Sequence, residues 1–595
     1  MVDNWVKKGL ALAAIVIFVC MSITPSFASD NVKKSSMLVS DGNTLYVGGS
    51  GAGNYTRIQD AINDAYSGDT VFVYDDNSPY YENIVIDKSI QLIGENRDTT
   101  IIDANFSGDD DVVSLWKNEI TISGFTIRNS QYDPRYYAGI SVGSDYNIIS
   151  GNRFINNIFG IKLDETVSNT IQGNIFLDSS LHGLVIYSST FNIISNNTFE
   201  SGDGIFIDKG GSEEWDSQII MNNTVDLKPI LYYKNMENLD ISGDVGQLIL
   251  GNCTNCIIHD LFISDVEVGI QLGFSNGNMV FRNTIDNTSY GLFCYVCTDN
   301  EISHNIISDN QIGIWIWSSI NSHIFNNSFI NNSLDGIRLT IAHYNRIFWN
   351  TISDNNCGIY INGYYWIGSH ENVIAGNTLS HNYGSGICIG GNYGVSLDNH
   401  IYHNNFVNDT ASDSYFNFWD ASYPFGGNYW FDYTGEDNNG DGVGDTPYHI
   451  PGGDNVDRFP LMDLWSMLNQ GPDDLGISGP TKGITGKEYN FTFNATDDNG
   501  DMIWYYINWG DNTNTGWIGP FDSGTEITRS HSWNKKGTYI IKVKAKDPYN
   551  AESQEATLEV TMPRNRAIMG SLFLRFLEQF PLLKRLLHIK FHASF

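Results

Sequence analysis

Residues 300–307 read NEISHNII, and 345–352 read NRIFWNTI. Both fit one phrase, N-x-I-x-x-N-x-Φ with Φ apolar. The phrase returns at residues 147, 169, 192, 218, 255, 278, 300, 322, 345, 372 and 399. Most spacings are 22 or 23 residues, and wider ones mark insertions. A period of this length signals a solenoid, in which each repeat buries its apolar face only against its neighbours. The third position is Ile or Val in every copy, and the sixth is Asn except at Asp260. A second phrase, G-Φ-x-Φ, lies between copies, as in GIKL (160–163), GIWI (313–316), GIRL (336–339) and GIYI (358–361). Short alternating strands separated by Gly and Asn, which tolerate positive φ, predict a parallel β-helix with one coil per repeat. Its inward apolar columns stack on their own kind, and an Asn column pairs its amides from coil to coil. Parallel crossovers make a right-handed path the expectation.

From these repeats, residues 40–425 resemble the right-handed, pectin-lyase-like β-helix family, with repeats of the NosD copper-binding-protein type. The stretch 55–103, which opens YTRIQDAINDAYSGDTVFVY, is similar to that family's N-terminal cap and first coils. The resemblance implies a fold more than an activity, since the scaffold carries lyases, hydrolases, epimerases and plain binding proteins.

The flanks differ in character. Residues 1–28 read as an export signal: Lys7 and Lys8, an apolar run from Leu10 to Val19, then Ser26-Phe27-Ala28. The segment 426–462 resembles the closing piece that follows such repeats. Within it Asp437, Asn439, Asp441 and Asp445 stand at calcium-loop spacing with Gly442 at the sharp turn, although Tyr448 replaces the usual bidentate Glu. Asp454 or Asp457 is then the candidate for a further ligand. In 472–562, WGD at 509–511 and HSWNKKGTYIIKVKAKD at 531–547 resemble a PKD domain, an immunoglobulin-like β-sandwich, with Asn512 in place of the usual Gly. The last stretch, 563–595, is basic and amphipathic, a candidate for docking on a membrane surface or a protein. The fold expected is thus all-β: a right-handed single-stranded parallel β-helix followed by an immunoglobulin-like (PKD) β-sandwich.

With 33 Lys+Arg against 68 Asp+Glu, the net charge of −35 argues against holding nucleic acid by charge. Eleven Asn-x-Ser/Thr sequons, Asn326 and Asn331 among them, suit a glycosylated exported protein.

Alternation along G-Φ-x-Φ turns the second and fourth residues after the Gly outward. This places Phe293, Tyr295, Trp315, Trp317, Arg338 and Tyr360 on neighbouring coils, with Trp366 in the loop beside them. Flat rings with an arginine suit stacking on sugar, so these seven residues form a candidate carbohydrate platform, and polysaccharide is the expected partner. Covering of this face by a loop or by the C-terminal domain is the alternative. Asp164 and Asp208 share a column two coils apart, and Lys162 stands near. The two carboxylates suit glycoside hydrolysis and the lysine suits proton abstraction from a uronate, so these three are the catalytic candidates. The motifs typical of polygalacturonases are absent, and DPR at 133–135 lacks the histidine of the alginate-epimerase motif. Cys253-x-x-Cys256 and Cys294-x-x-Cys297 have zinc-like spacing but fall two coils apart, too far for one ion. His259 and His304 read as sharing a column with Arg282 between them, which repels a cation, so no copper site emerges. The functional expectation is an exported carbohydrate-binding β-helix protein. The alternatives are a polysaccharide lyase, epimerase or hydrolase acting on the same face, and a structural adhesion protein.

Overall fold

The computed structural model describes residues 42–105, 110–130, 137–208, 210–391, 394–465, 471–497, 502–547 and 551–562, with Phe576 and Gln579. The export signal, the DPR motif and nearly all of the basic tail lie outside these. The chain divides into two compact units, 1–462 and 463–595.

The first unit is a parallel β-solenoid of about 16 turns. A short helix, Ile58–Asp64, closes its start by burying Ile58, Ala61 and Ile62 over the first coil. No side chain of its own caps this helix. Glu82, from the following coil, accepts the amides of Ile58 and Gln59 at 2.9 and 3.0 Å and meets the partial positive charge there.

The apolar columns stack as the repeat predicts: Ile302 on Val280 and Ile324, and Ile314 on Leu292 and Ile337, all fully buried. The asparagines form ladders. Asn327 Oδ1 accepts both the backbone N–H and the side-chain amide of Asn305 at 2.9 Å, and the Asn327 amide donates to Ile302 O, Phe325 O and Asn350 Oδ1. A buried amide is thus satisfied on every side, the condition for burying it at all. The positive φ expected of these asparagines falls one residue earlier, on Arg282, His304, Asn326 and Trp349. The glycines of G-Φ-x-Φ serve contact rather than turning: a Cβ on Gly313 would lie 2.5 Å from Gly336 O, and one on Gly336 would lie 2.7 Å from Gly358 O.

The repeat at 255 needs its register moved by one residue. Cys256, not Asn255, pairs with Asn278, and Ile258 pairs with Val280, so Ile257 faces out. Asp260 therefore sits in the turn column with Arg282 and His304, where its φ is 53° and Arg282 bonds it at 2.8 and 3.0 Å. His259 is not in that column. It stacks on Phe281 and holds Asp240 and Asp260 through its two ring nitrogens.

The solenoid has one discontinuity. A six-stranded sheet ends at Ile205–Ile207, and among the described residues no strand ladders onto that edge. Instead the chain turns back through Asp226 and Leu227, so that Val225 pairs antiparallel with Lys228, and Lys228–Lys234 starts the next run of parallel strands. The open edge is satisfied by two buried glutamines: Gln247 accepts from Ile205 N and donates to Ile205 O, while Gln271 accepts from Ile207 N. Glu267 and His182 meet across the same joint.

The second unit holds a three-stranded and a four-stranded antiparallel sheet that share a core including Phe491, Tyr505, Trp509, Trp533 and Val543. Trp509 is buried and stacks on His531 at 4.6 Å, and Asn512 takes the left-handed turn, at φ 70°, where a glycine was expected.

Candidate functional site

The outward columns have the expected register. Gln271, Phe293, Trp315, Arg338 and Tyr360 are successive cross-coil partners, as are Gly273, Tyr295, Trp317, Thr340 and Asn362. Their exposure is not as expected. Phe293 and Trp317 are buried, and Tyr295, Trp315, Arg338 and Tyr360 are partly buried. Two insertions lie over the face. The helix Ser212–Asp216 lays Trp215, fully buried, parallel to Tyr295 at 6.0 Å and beside Phe293. Its indole occupies the space that a side chain on Gly273 would need, since a Cβ there would come within 2.0 Å of the ring. At the other end Tyr364 stands edge-on to Trp317 at 5.1 Å. Both covers come from the wide spacings of the repeat, 192 to 218 and 345 to 372, and that widening was the signal for them. The open platform is therefore a packed aromatic array, with Phe293 and Trp317 among its contents rather than on its surface.

Within the array Trp315, Thr340 and Arg338 have polar partners, whereas the buried Trp215 Nε1 has none. Trp315 Nε1 donates to Thr340 Oγ1 at 3.0 Å, and Thr340 donates to Asn362 at 2.7 Å. The Arg338 guanidinium lies 5.4 Å from the Trp315 ring and 5.5 Å from the Tyr360 ring, within cation–π range of both, and is bonded to the buried Asp335. Burial pushes the Asp335 carboxyl above its usual range, with Arg338 opposing. Burial, then the nearby Asp208 and Glu214, raise the Tyr295 phenol.

One part of the face is open. Tyr364 and Ile367 exchange backbone hydrogen bonds at 2.9 and 3.2 Å, making a two-residue turn with Tyr365 and Trp366 at its tip. Tyr365 is 64% exposed and Trp366 94%. Nearby, Cys357 and Cys388 form a disulfide between adjacent coils, which the repeat did not reveal because neither belongs to a Cys-x-x-Cys pair. Cys253, Cys256, Cys294 and Cys297 are buried free thiols.

The catalytic candidates are only partly gathered. Lys162 Nζ pairs with Asp164 at 2.8 Å and lies 5.5 Å from the Tyr187 ring. Asp208 follows Ile207, two coils along from Asp164. In the 437–445 loop the carboxylates serve the loop's own amides. Asp437 accepts from Gly440, Asp441 and Gly442, Asp441 from Val443, and Asp445 from Asn438. Asp457 is fully buried and accepts from Asn428 N and Trp430 Nε1 at 2.7 and 2.9 Å, with burial pushing its pKa up to about 7. Its place is at the end of an Asn ladder, where only an acceptor is needed, and not at the 437–445 loop. Among the described residues no three His, Cys, Asp or Glu side chains converge on a point that a metal ion could occupy.

The family model of the periplasmic copper-binding protein NosD matches residues 62–238, 231–335 and 333–435, which together exceed half of the chain. The chain belongs to the NosD family. Copper is in that family's name; among the described residues of this NosD-family chain no group of three or more His, Cys, Asp or Glu gathers where an ion could sit. No curated protein matches the chain. Among solved structures, the PKD domain of an M14-like peptidase from Thermoplasmatales archaeon SCGC AB-540-F20 is 54% identical, covering 16% of this chain and 99% of its own, with a TM-score of 0.16. The periplasmic alginate epimerase AlgG is 13% identical over 56% of this chain and 71% of its own, at a TM-score of 0.23. DFA-IIIase from Arthrobacter chlorophenolicus A6 is 11% identical over 57% and 94%, at 0.28. Among the described residues no helix is long and apolar enough to cross a membrane.

Proposed function

We propose that this NosD-family chain is an exported protein of the cell envelope that binds polysaccharide through the Tyr365–Trp366 tip, with Tyr360 and Arg338 on the coils that carry it. The observation behind this reading is Trp366, 94% exposed on a turn closed by its own backbone hydrogen bonds. Burying so exposed an indole against a ligand gains free energy, and a ring held on a short turn loses little entropy on stacking against the C–H face of a sugar. The buried array beneath, Trp317 against Tyr364 above all, makes the tip's base rigid. The second unit, on the strength of WGD at 509–511 and the 531–547 stretch, is read as a PKD-like spacer.

The test is retardation of the protein in gels cast with neutral and acidic polysaccharides. Runs with and without calcium are included because Asp437, Asn439, Asp441 and Asp445 keep calcium-loop spacing. Retardation by at least one polysaccharide, reduced at least fivefold in Trp366→Ala and unchanged in Tyr81→Ala (another exposed aromatic), is the expected result. Clearing of the gel that Asp164→Asn abolishes would favour the enzyme reading instead, with Lys162 and Asp208 as partners. Absence of retardation throughout would favour an adhesion protein with protein partners.

A further inference from the structure

The six-stranded sheet that ends at Ile205–Ile207 carries a second outward column, on the other side of the discontinuity from the Tyr365–Trp366 tip. Trp116, Gly143, Asp164, Tyr187 and Asp208 follow one another on five successive coils. Their order is set by the pairings of Leu115 with Val142, Val142 with Leu163, Asp164 with Tyr187, and Ile186 with Ile207. Trp116 is 61% exposed. A Cβ on Gly143 would come within 2.7 Å of its ring, so the indole rests against bare backbone while most of it stays in water. That seat is the work of the glycine: any side chain at 143 would lift the ring off the sheet.

Two coils along from Trp116, Lys162 Nζ holds Asp164 at 2.8 Å, and both side chains reach solvent. The same ammonium lies 5.5 Å from the Tyr187 ring, which stands edge-on to the buried Phe159 at 6.5 Å. The face thus holds a seated, exposed indole, a reachable ion pair and a second ring fixed by packing. Asp111 lies close enough to Lys162 for the ammonium to oppose the rise that burial imposes on its carboxyl. Asp111, Asp164 and Asp208 therefore outnumber the one lysine on this face.

We propose that this column is a second saccharide site, taking an uncharged sugar chain along the solenoid axis, with one ring stacked on Trp116 and the hydroxyls of the next rings on Asp164 and Lys162. A sugar presents a C–H face to the indole and hydroxyls that both donate to a carboxylate and accept from an ammonium. An apolar protein partner would instead strip water from the Lys162–Asp164 pair and give nothing back. A uronate chain would meet three carboxylates for one ammonium, and repulsion sets it apart from a neutral one. Trp116 and Tyr187 stand three coils apart, roughly 14 Å at strand spacing, room for about three sugar rings.

The experiment is calorimetric titration of the full chain carrying Trp366→Ala, which removes the tip, so that failure of either site is read separately. The probes are cellotetraose, laminaritetraose, maltotetraose, mannotetraose and, as the charged comparison, tetraguluronate. At least one neutral tetramer binds, and the uronate tetramer binds at least tenfold more weakly. Adding Trp116→Ala weakens the neutral tetramer at least tenfold, and adding Asp164→Asn weakens it at least threefold. Absence of binding by all four neutral tetramers, uronate binding as tight as theirs, or a smaller loss in Trp116→Ala overturns the proposal. If the Trp116→Ala chain does not fold, Asp164→Asn decides: at least threefold weakening supports the site, and a smaller change overturns it.

Discussion

At the scale of single residues, the asparagines carry the fold. A buried Asn such as Asn327 accepts from the coil before it and donates to main-chain carbonyls and to the next Asn, so removing one strands several polar groups at once. Asn327→Ala leaves the backbone N–H of Asn305 without its acceptor and Asn350 Oδ1 without a side-chain donor. An unsatisfied buried group costs about 1–3 kcal/mol, so the variant should lose about 2–4 kcal/mol in denaturant unfolding. A loss below about 0.5 kcal/mol would mean that water fills the ladder at no cost and that the column is not what spaces the coils. The same logic explains where ladders stop. Asn404 passes its bonds to Asn428 and Asn428 to Asp457, while Asn382 ends on Asp409. A last rung needs an acceptor and no donor, so a carboxylate replaces the amide.

At the scale of elements, the repeats were legible because each column is the same physical demand made again: an inward Ile, a buried amide, a glycine where backbones touch. The register of the aromatic columns followed from that alone. What could not be read was which outward residues stay outward. Phe293 and Trp317 are buried by Trp215 and Tyr364, which belong to no repeat and have no periodicity to place them. The slip at Asp260 has a similar cause. An Asn at 255 imitates the repeat's first position one residue early, and only the pairing of Cys256 with Asn278 settles the frame. The Cys357–Cys388 bond was hidden because contacts between coils are distant in sequence. It closes a loop of 31 residues that contains the Tyr365–Trp366 turn. In the chain-entropy account such a loop contributes about 3–4 kcal/mol, and in a solenoid that stability is local. Reduction should therefore speed amide exchange in 357–389 at least tenfold while leaving 148–200 unchanged. Uniform acceleration, or none, would show that the bond does not hold the tip in particular.

At the scale of the whole first unit, the solenoid is two stacks of coils joined where the sheets ending at Ile205–Ile207 and Ile219–Met221 break and a third sheet continues only through the antiparallel pair Val225–Lys228. A solenoid's stability is close to a sum of coil-on-coil interfaces, so its weakest interface sets whether it unfolds in one step or two. At the joint the edge of Ile205–Ile207 is held by side chains, Gln247 and Gln271, that imitate a missing strand, and by the packing of Phe206 on Phe293 at 5.4 Å. Replacing both glutamines by leucine keeps much of the volume but leaves the amides of Ile205 and Ile207 and the carbonyl of Ile205 without their partners. At about 1–3 kcal/mol for each unsatisfied group, the penalty rivals the stability of a typical domain. The double variant should then unfold in two calorimetric steps, and limited proteolysis between them should cut first in 208–246, the stretch that spans the joint. A single transition at an unchanged midpoint would place the cohesion of the joint in its apolar contacts, Phe206 against Phe293 first, and make the glutamines passengers at that edge.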